Sequence, residues 1–270
     1  MLHKRILTAV ILVSLVLAAI FYLSPPYFCL ATALLVLVAA WEWTNLMRVT
    51  SIAWRVLYLL IVLLSLFNAL FVPASVILAS AFIWWLGVAG LVMVYPRATG
   101  WWSSRAFVCG LMGLIVLVPC WAAVNFIRNQ MNGIALLLFL FVLIWGADTA
   151  AYFIGKQWGK TKLVPAVSPG KSWQGLAGAL VFSLVLAFAV LWASGMKGVI
   201  WGWFVGFVLI VTLFSVVGDL FESMMKREAG LKDSGTMLPG HGGLLDRIDS
   251  LTAAAPIFAL GVALLERTGF

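Results

Sequence analysis

The sequence predicts an all-α polytopic membrane protein with about nine transmembrane helices and a polar cavity that faces the cytoplasm. Three observations predict it: the composition, the length of the apolar stretches and the distribution of basic residues. Of the 270 residues, 64% are apolar and 10% are charged, whereas an ordinary soluble domain carries roughly 25% charged residues. The composition therefore excludes a soluble globular domain.

Nine apolar stretches are long enough to cross a membrane, which takes about 20 residues for roughly 30 Å of hydrocarbon. The first follows Lys4-Arg5, as in a signal peptide, but no small-residue cleavage site precedes "SPPYFC". We therefore interpret it as a mature helix. The predicted spans lie near residues 6–23, 27–47, 54–72, 76–95, 106–127, 134–154, 173–193, 199–221 and 251–266.

The basic residues predict the orientation of these spans, because Lys and Arg of short loops are retained on the cytoplasmic side. With a cytoplasmic N-terminus, fourteen of the 17 Lys and Arg residues lie inside and only Arg128, Lys197 and Arg267 lie outside. Nine spans then place the C-terminus on the far side. The net charge of +8 is accordingly a topology signal, and no nucleic-acid partner is predicted.

The polar residues divide the chain into two regions. Residues 1–130 form a predicted N-terminal scaffold of about five transmembrane helices, and Glu42 is the single acid there. Residues 131–270 form a predicted catalytic region with cytoplasmic loops at 155–172 and 224–250. Seven of the nine acids lie between Asp148 and Asp249, so any chemistry is expected in this C-terminal half.

The end of the eighth span, "VVGDLFESMMKR", places four polar side chains on one helical stripe. Asp219, Glu222, Ser223 and Lys226 stand at i, i+3, i+4 and i+7, and residues with this spacing share a face. One interpretation is an amphipathic helix end emerging into water. The alternative is a functional site, because Asp219 directly follows an apolar run and intramembrane acids are costly unless they serve a function.

The following stretch, "LPGHGGLLDRIDS", combines a glycine-rich loop with two acids at a helix start. Its proline and glycines preclude regular helix and are expected to offer backbone amides to an anion. Asp246 and Asp249 share a face, and carboxylates from two helix ends suit Mg²⁺ with phosphate oxygens. Alternatively, the two acids pair with Arg247 and Lys226 in a solvated ion network. His241 either donates to a phosphate or orders the loop.

The third polar stretch is "WGADTAAYFIGKQWGKTKLVPAVSPGKSWQG". Asp148 and Tyr152 are four residues apart near the cytoplasmic end of span six, so both can face one cavity. Ser168, Lys171 and Ser172 close the loop directly before span seven, which is an arrangement suited to phosphate. It is not a Walker loop, because the required glycine is missing. Retention of basic residues on the cytoplasmic side also explains the lysines between these elements.

Residues Ser223 to Asp249, "SMMKREAGLKDSGTMLPGHGGLLDRID", resemble the signature of phosphatidate cytidylyltransferases, also called CDP-diacylglycerol synthases. "WGADTAAYFIGK" and "SPGKSWQG" match the same family in order and spacing. The resemblance covers residues 140–255 in detail and the whole chain in length. Gln174 departs from it, since many members carry Glu in this stretch, and no catalytic carboxylate is available at that position.

The resemblance implies a reaction in which CTP and phosphatidic acid give CDP-diacylglycerol and pyrophosphate. It implies Mg²⁺, with K⁺ as a second metal, a homodimer, and an active site on the cytoplasmic side of the inner membrane. The implied metal ligands are Asp219 and Asp246, and the catalytic residues are Asp219, Lys226, Asp246 and Asp249. The predicted substrate-binding residues are Asp148, Ser168, Lys171, Ser172, Ser223, Arg227, Lys232, Asp233, His241 and Arg247.

Two other functions share parts of this pattern. A CTP-dependent polyprenol kinase uses a lipid, a nucleotide and a metal but transfers the γ-phosphate. A secondary transporter also needs intramembrane acids, but it usually shows matched broken helices in two halves, and here the acids concentrate in one half. A CDP-alcohol phosphotransferase is disfavoured because its DGxxAR pattern is missing.

Overall fold

The computed structural model describes residues 2–97, 105–195, 198, 200–238, 240 and 242–268. Within these residues the chain forms nine α-helices and one two-stranded β-hairpin. In chain order they are α1 (Leu2–Tyr22), α2 (Pro25–Leu46), α3 (Ile52–Ala69), α4 (Ala74–Val94), α5 (Ala106–Arg128), α6 (Gly133–Trp158), β1 (Lys162–Val164), β2 (Ser168–Ser172), α7 (Trp173–Ser194), α8 (Ile200–Ala229) and α9 (Leu245–Thr268).

The helices confirm an all-α polytopic membrane protein. In the described part of the chain, eight helices, α2 to α9, are long and apolar enough to cross a bilayer. Helix α1 contributes a shorter apolar segment, Thr8–Tyr22. The described residues thus contain nine helices, as predicted, of which eight have the length of a membrane span.

Three helices that carry polar residues extend beyond their predicted spans. Helix α6 ends at Trp158 rather than near 154, α8 ends at Ala229 rather than near 221, and α9 begins at Leu245 rather than near 251. Hydropathy identifies only the part of a helix that lies in hydrocarbon. The polar end of α8 stays helical because Lys226 pairs with Glu222 within the helix and with Asp246 of α9.

The predicted loop at 155–172 is more ordered than expected, and residues 168–172 form a strand rather than an irregular loop. Strands β1 and β2 pair antiparallel, with Lys162 opposite Ser172 and Val164 opposite Ser168. Val167 between them is fully buried in the hydrophobic core. Burial of this apolar side chain fixes the hairpin against the helices, so the strand presents Lys171 from a defined backbone.

The core joins both halves of the chain. One cluster of buried side chains brings Trp43 of α2 and Trp85 of α4 against Phe221 of α8. A second cluster combines α5 and α6 with α8 and α9, and Phe207 packs there against Phe258. The helices of residues 1–130 therefore support those of residues 131–270 directly, and the functional division between the two regions stays a prediction.

Glycines permit two close helix contacts beside the polar region. A Cβ atom at Gly218 of α8 would lie 2.6 Å from the Asp249 carbonyl oxygen of α9, and one at Gly175 of α7 would lie 2.9 Å from the Ala151 carbonyl oxygen of α6. Small residues let helix backbones approach in this way. These contacts set the spacing of the helix ends that carry Asp148, Asp219 and Asp249.

Candidate active site

A polar cavity of about 820 Å³ lies where α6, the hairpin, α8 and α9 meet. This volume is within the range of ligand pockets, about 300–1,000 Å³. Most of the predicted site residues line it together, although they come from separate stretches of the chain. They are Asp148, Ser168, Lys171, Ser172, Asp219, Lys226, Asp233, Asp246, Arg247 and Asp249.

The stripe predicted on α8 is present. Ser223 Oγ donates to Asp219 Oδ1 at 3.3 Å, and Lys226 Nζ donates to Glu222 Oε2 at 2.8 Å. Lys226 also donates to Asp246 Oδ1 of α9 at 2.6 Å. Glu222 is only 3% exposed, and a carboxylate so deeply buried requires such a cationic partner. Lys226 thus ties the polar end of α8 to the start of α9.

Asp246 is held by four donors. Its Oδ1 accepts from Lys226, while its Oδ2 accepts from the backbone N–H of Ser234 at 3.0 Å, from Ser234 Oγ at 3.0 Å and from the backbone N–H of Gly243 at 2.8 Å. Its side chain is 6% exposed. Asp246 therefore organises the start of α9 and the loop before it, and Lys226 would have to leave Oδ1 before a metal ion could bind there.

Asp219 has a more open environment. Its Oδ2 lies 2.6 Å from Lys171 Nζ, with the two side chains 28% and 24% exposed. Because Lys171 belongs to β2, this ion pair brings the hairpin against α8. It joins the cation predicted to hold phosphate to the acid predicted to hold metal, so a triphosphate and a cation entering the cavity would meet both groups.

Asp148 and Asp249 complete the acidic side of the cavity. Ser250 Oγ donates to Asp148 Oδ2 at 3.4 Å, and the Ser250 backbone N–H donates to Asp249 Oδ1 at 2.7 Å. Asp148, Asp219 and Asp249 thus bring three carboxyl groups to one cavity, with Lys171 among them. A further positive charge in this part of the cavity would be favourable.

The donor chemistry of this cavity suits a hard divalent cation, although the ligands do not form a complete cage. Among the residues that the structure describes, no three His, Cys, Asp or Glu side chains are grouped to hold a metal ion by themselves. Mg²⁺ is usually bound by one or two carboxylates, with substrate phosphates and water supplying the other oxygens. The partly exposed carboxylate of Asp219 fits that mode of binding.

The glycine loop does not offer all of its amides to an external anion, as the sequence had suggested. The backbone N–H of Gly243 donates to Asp246, and those of Leu244 and Leu245 donate to Glu42 Oε1 at 3.0 Å and Oε2 at 2.8 Å. Two carboxylates of the chain itself are therefore the anions at the start of α9. The irregular backbone is as predicted, with φ of 78° at Gly240 and 79° at Gly242.

Glu42 is a buried residue behind the site whose contact with the loop before α9 sequence reasoning missed. It was noted only as the single acid of the N-terminal half, yet it is 1% exposed and contacts the loop before α9. The available signal was its position in the apolar stretch "AAWEWTNL", because an acid among hydrocarbon requires a partner.

The remaining predicted residues lie at the margin of the cavity or outside the described residues. Ser223 reaches it only through Asp219. Arg227 is exposed and donates to the Val167 and Leu231 carbonyl oxygens at 3.3 and 3.5 Å. Lys232 is exposed, and His241 lies outside the residues that the structure describes. The substrate-binding roles of these four residues stay predictions, as do the roles of the residues that line the cavity.

Ser172 has a structural contact in addition to its place in the cavity wall. Its Oγ accepts from the backbone N–H of Gly175 at 3.1 Å and so forms the N-cap of α7. The hydroxyl proton is not used by this bond and can still be donated to a phosphate oxygen. The predicted role in substrate binding is therefore compatible with the capping contact.

Comparison with known proteins relates this chain to a cytidylyltransferase family. The model of the cytidylyltransferase family matches residues 3–265. A phosphatidate cytidylyltransferase of Haemophilus influenzae is 38% identical over 96% of this chain and 98% of its own length. Its counterparts in Pseudomonas aeruginosa and Brucella suis are 42% and 33% identical, over 100% and 96% of this chain and 99% and 92% of their own lengths.

Proposed function

The chain belongs to the cytidylyltransferase family, and on that premise we propose that it transfers CMP from CTP to phosphatidic acid, giving CDP-diacylglycerol and pyrophosphate. The observation that carries this proposal is the convergence of the motif acids and cations on one cavity at the ends of apolar helices. A nucleoside triphosphate needs such cations, and a lipid phosphate is expected near the ends of membrane-spanning helices when its acyl chains stay in the bilayer.

The reaction follows from the chemistry of the two substrates. A phosphate oxygen of phosphatidic acid attacks the α-phosphorus of CTP, a new O–P bond forms, and the bond to the β-phosphate oxygen breaks as pyrophosphate leaves. The attacking oxygen is already an anion, so no side chain has to remove a proton from it. Catalysis then depends on positioning the phosphates and neutralising their charge.

The cations that line the cavity are suited to that task. Lys156, Lys162 and Lys171 come from the end of α6 and from the hairpin, while Arg247 comes from the first turn of α9. Charge-assisted hydrogen bonds from such groups bind phosphates strongly. We assign the triphosphate to the side of the cavity that carries Lys171 and Asp219.

Mg²⁺ is part of the proposal, with Asp219 and Asp246 as its ligands. When bound, it would supply positive charge to the triphosphate and to the departing pyrophosphate. Asp219 is the more accessible of the two acids, whereas Asp246 first has to lose Lys226 from Oδ1. A second metal, K⁺, is proposed from the family resemblance alone.

The orientation and assembly are also proposals. The distribution of Lys and Arg supports a cytoplasmic N-terminus and a cavity facing the cytoplasm, and the family resemblance supports the inner membrane. This side of the membrane is where CTP is available. The family resemblance supports a homodimer.

The proposed reaction is tested by the fate of the phosphates of CTP. Purified protein in detergent is given phosphatidic acid, Mg²⁺ and CTP labelled at the α- or the γ-phosphorus, and lipid is extracted into organic solvent. We expect α-label in the lipid and γ-label in water as pyrophosphate. The reverse distribution would identify a lipid kinase and contradict the proposal.

A further inference from the structure

Glu42 connects a transmembrane helix of the N-terminal half to the start of α9, the helix that carries Asp246. The side chain lies on α2, and its two oxygens accept from the backbone N–H groups of Leu244 and Leu245. Ser234 Oγ is a third donor, 3.2 Å from Glu42 Oε2. These contacts place a buried anion against the N-terminus of α9, where unpaired N–H groups favour negative charge.

The same contacts lead from Glu42 to the cavity. Ser234 Oγ lies 3.2 Å from Glu42 and 3.0 Å from Asp246, so its single proton is shared between the two carboxylates. Asp246 in turn holds Lys226, which holds Glu222. A displacement of the Glu42 carboxylate would therefore be passed to Asp246 and Lys226 through one hydroxyl and two backbone amides.

The surrounding backbone is shaped to admit this carboxylate. A Cβ atom at Gly235 would lie 2.6 Å from Glu42 Oε1, and one at Gly243 would overlap both Glu42 and the Ser234 hydroxyl. The Asn45 side-chain amide, one turn along α2, donates to the Ser234 carbonyl oxygen at 2.9 Å. The loop is thus fitted closely around the end of α2.

We propose that Glu42 is a positioning residue for the transfer reaction, fixing the start of α9 so that Asp246 and Lys226 face the cavity in one arrangement. The proposal rests on the proposed function for its link to catalysis. Glu42 itself does not line the cavity in the described residues, and it acts through the loop and Ser234.

Glu42→Gln tests this role with little change of shape. A glutamine side chain keeps one acceptor oxygen but turns an NH₂ group toward the other backbone N–H, so one of the two bonds at Leu244 and Leu245 is lost. We expect faster hydrogen exchange in peptides covering residues 242–248. We also expect kcat to fall about tenfold while KM for CTP changes less than about threefold.

Glu228→Gln is the matched control. Glu228 lies near the end of α8 and does not line the cavity. The control should leave both exchange at 242–248 and kcat near the wild-type values. Unchanged exchange and unchanged kcat in Glu42→Gln would overturn the proposal, as would an equal loss of kcat in both variants.

Ser234→Ala provides a second route if Glu42→Gln does not fold. This change removes only the hydroxyl shared by Glu42 and Asp246, and it should also speed exchange at 242–248 and lower kcat. Wild-type exchange and kcat in Ser234→Ala would then overturn the proposal. If the wild-type protein transferred no CMP, the proposed function would fail, whereas the exchange data would still decide whether Glu42 orders the loop.

Discussion

The carboxylates of the cavity are chemically alike, but their contacts give them different tasks. Asp219 has one cation on Oδ2 and a hydroxyl on Oδ1, and more than a quarter of its side chain is exposed. Asp246 is nearly buried and accepts from four donors, one from α8 and three from the loop before α9. Asp219 is thus available to a ligand, while Asp246 also maintains the local structure.

Asp219→Asn is therefore expected to abolish most activity without unfolding the protein. The substitution removes a negative charge that a divalent cation requires but keeps nearly the same volume. Turnover should fall by at least about 100-fold, the order of effect seen when a group acting on transition-state charge is removed. The thermal midpoint in detergent should stay near the wild-type value, and activity above about a third of wild type would remove Asp219 from the site.

Asp246→Asn is expected to differ because it also costs stability. The asparagine NH₂ group would face either Lys226 or the donors from Ser234 and Gly243, leaving buried groups without acceptors. Such a loss costs about 1–3 kcal/mol per buried group. Thermal unfolding should show a clearly lower midpoint than that of Asp219→Asn. Equal midpoints in the two variants would contradict the distinction drawn between them.

Single residues in the motifs were predictable because their spacing alone places them on shared helix faces. The stripe from Asp219 to Lys226 and the pair Asp246 and Asp249 follow from helical periodicity. Glu42 could not be found in this way, since its bond to Leu245 joins positions 203 residues apart. Local pattern carries no information on which distant backbone a side chain will meet.

Helices α8 and α9 form the frame of the cavity, and their separation is set at Gly218. A side chain there would press on the carbonyl of Asp249 and on the Cβ of Ala253, with distances of 2.6 and 3.1 Å from an added Cβ. The carbonyl belongs to the helix backbone and cannot move without shifting α9. The approach of these two helices therefore controls the position of Asp249 beside Asp219.

Gly218→Ala should push the two helices apart, whereas Gly202→Ala in the same helix should not. No atom lies within 4 Å of an added Cβ at Gly202 among the described residues, and alanine in a helix interior is favoured over glycine by roughly 0.5–1 kcal/mol. We expect Gly218→Ala to lower the thermal midpoint and the rate of CMP transfer, and Gly202→Ala to keep or raise the midpoint. Equal behaviour of the two variants would show that the α8–α9 contact is not limiting.

The existence of the helices was predictable, but their polar ends and the hairpin were not. Hydropathy detects the apolar part of each helix, so it stops where α8 meets Glu222 and Lys226, although pairing keeps that turn helical. The hairpin depends on burial of Val167 against α-helices distant in sequence. Short strands stabilised by tertiary packing give little local signal.

At the scale of the whole molecule, the connections between helices lie on two opposite sides of the helix bundle. Asn45 at the end of α2 contacts Ser234 between α8 and α9, and Arg227 of α8 contacts Val167 of the hairpin between α6 and α7. On the other side, Arg128 at the end of α5 donates to the Leu23 carbonyl oxygen between α1 and α2 at 3.2 Å. The cavity lies on the side of the hairpin.

The basic residues on these two sides predict which side faces the cytoplasm. The hairpin side carries Lys171, Lys226 and Arg247, whereas Arg128 stands on the opposite side with its guanidinium over Phe28 at 5.8 Å. Because cytoplasmic loops retain Lys and Arg, the hairpin side is expected to face the cytoplasm. The end of α9 and the connection at 129–132 should then lie outside the cytoplasm.

Paired reporter fusions measure this arrangement at three points. Alkaline phosphatase, which is active only outside the cytoplasm, and a fluorescent protein that folds inside it are fused after residue 50, after residue 130 and after residue 265. We expect fluorescence only at residue 50 and phosphatase activity at residues 130 and 265. The fusion at residue 50 reports the side of the membrane on which the cavity lies, since α2 ends on the side of the cavity. Fluorescence at residue 265 as well as at residue 50 would put the end of α9 in the cytoplasm and contradict the predicted topology. Phosphatase activity at residue 50 would put the cavity outside the cytoplasm, away from CTP.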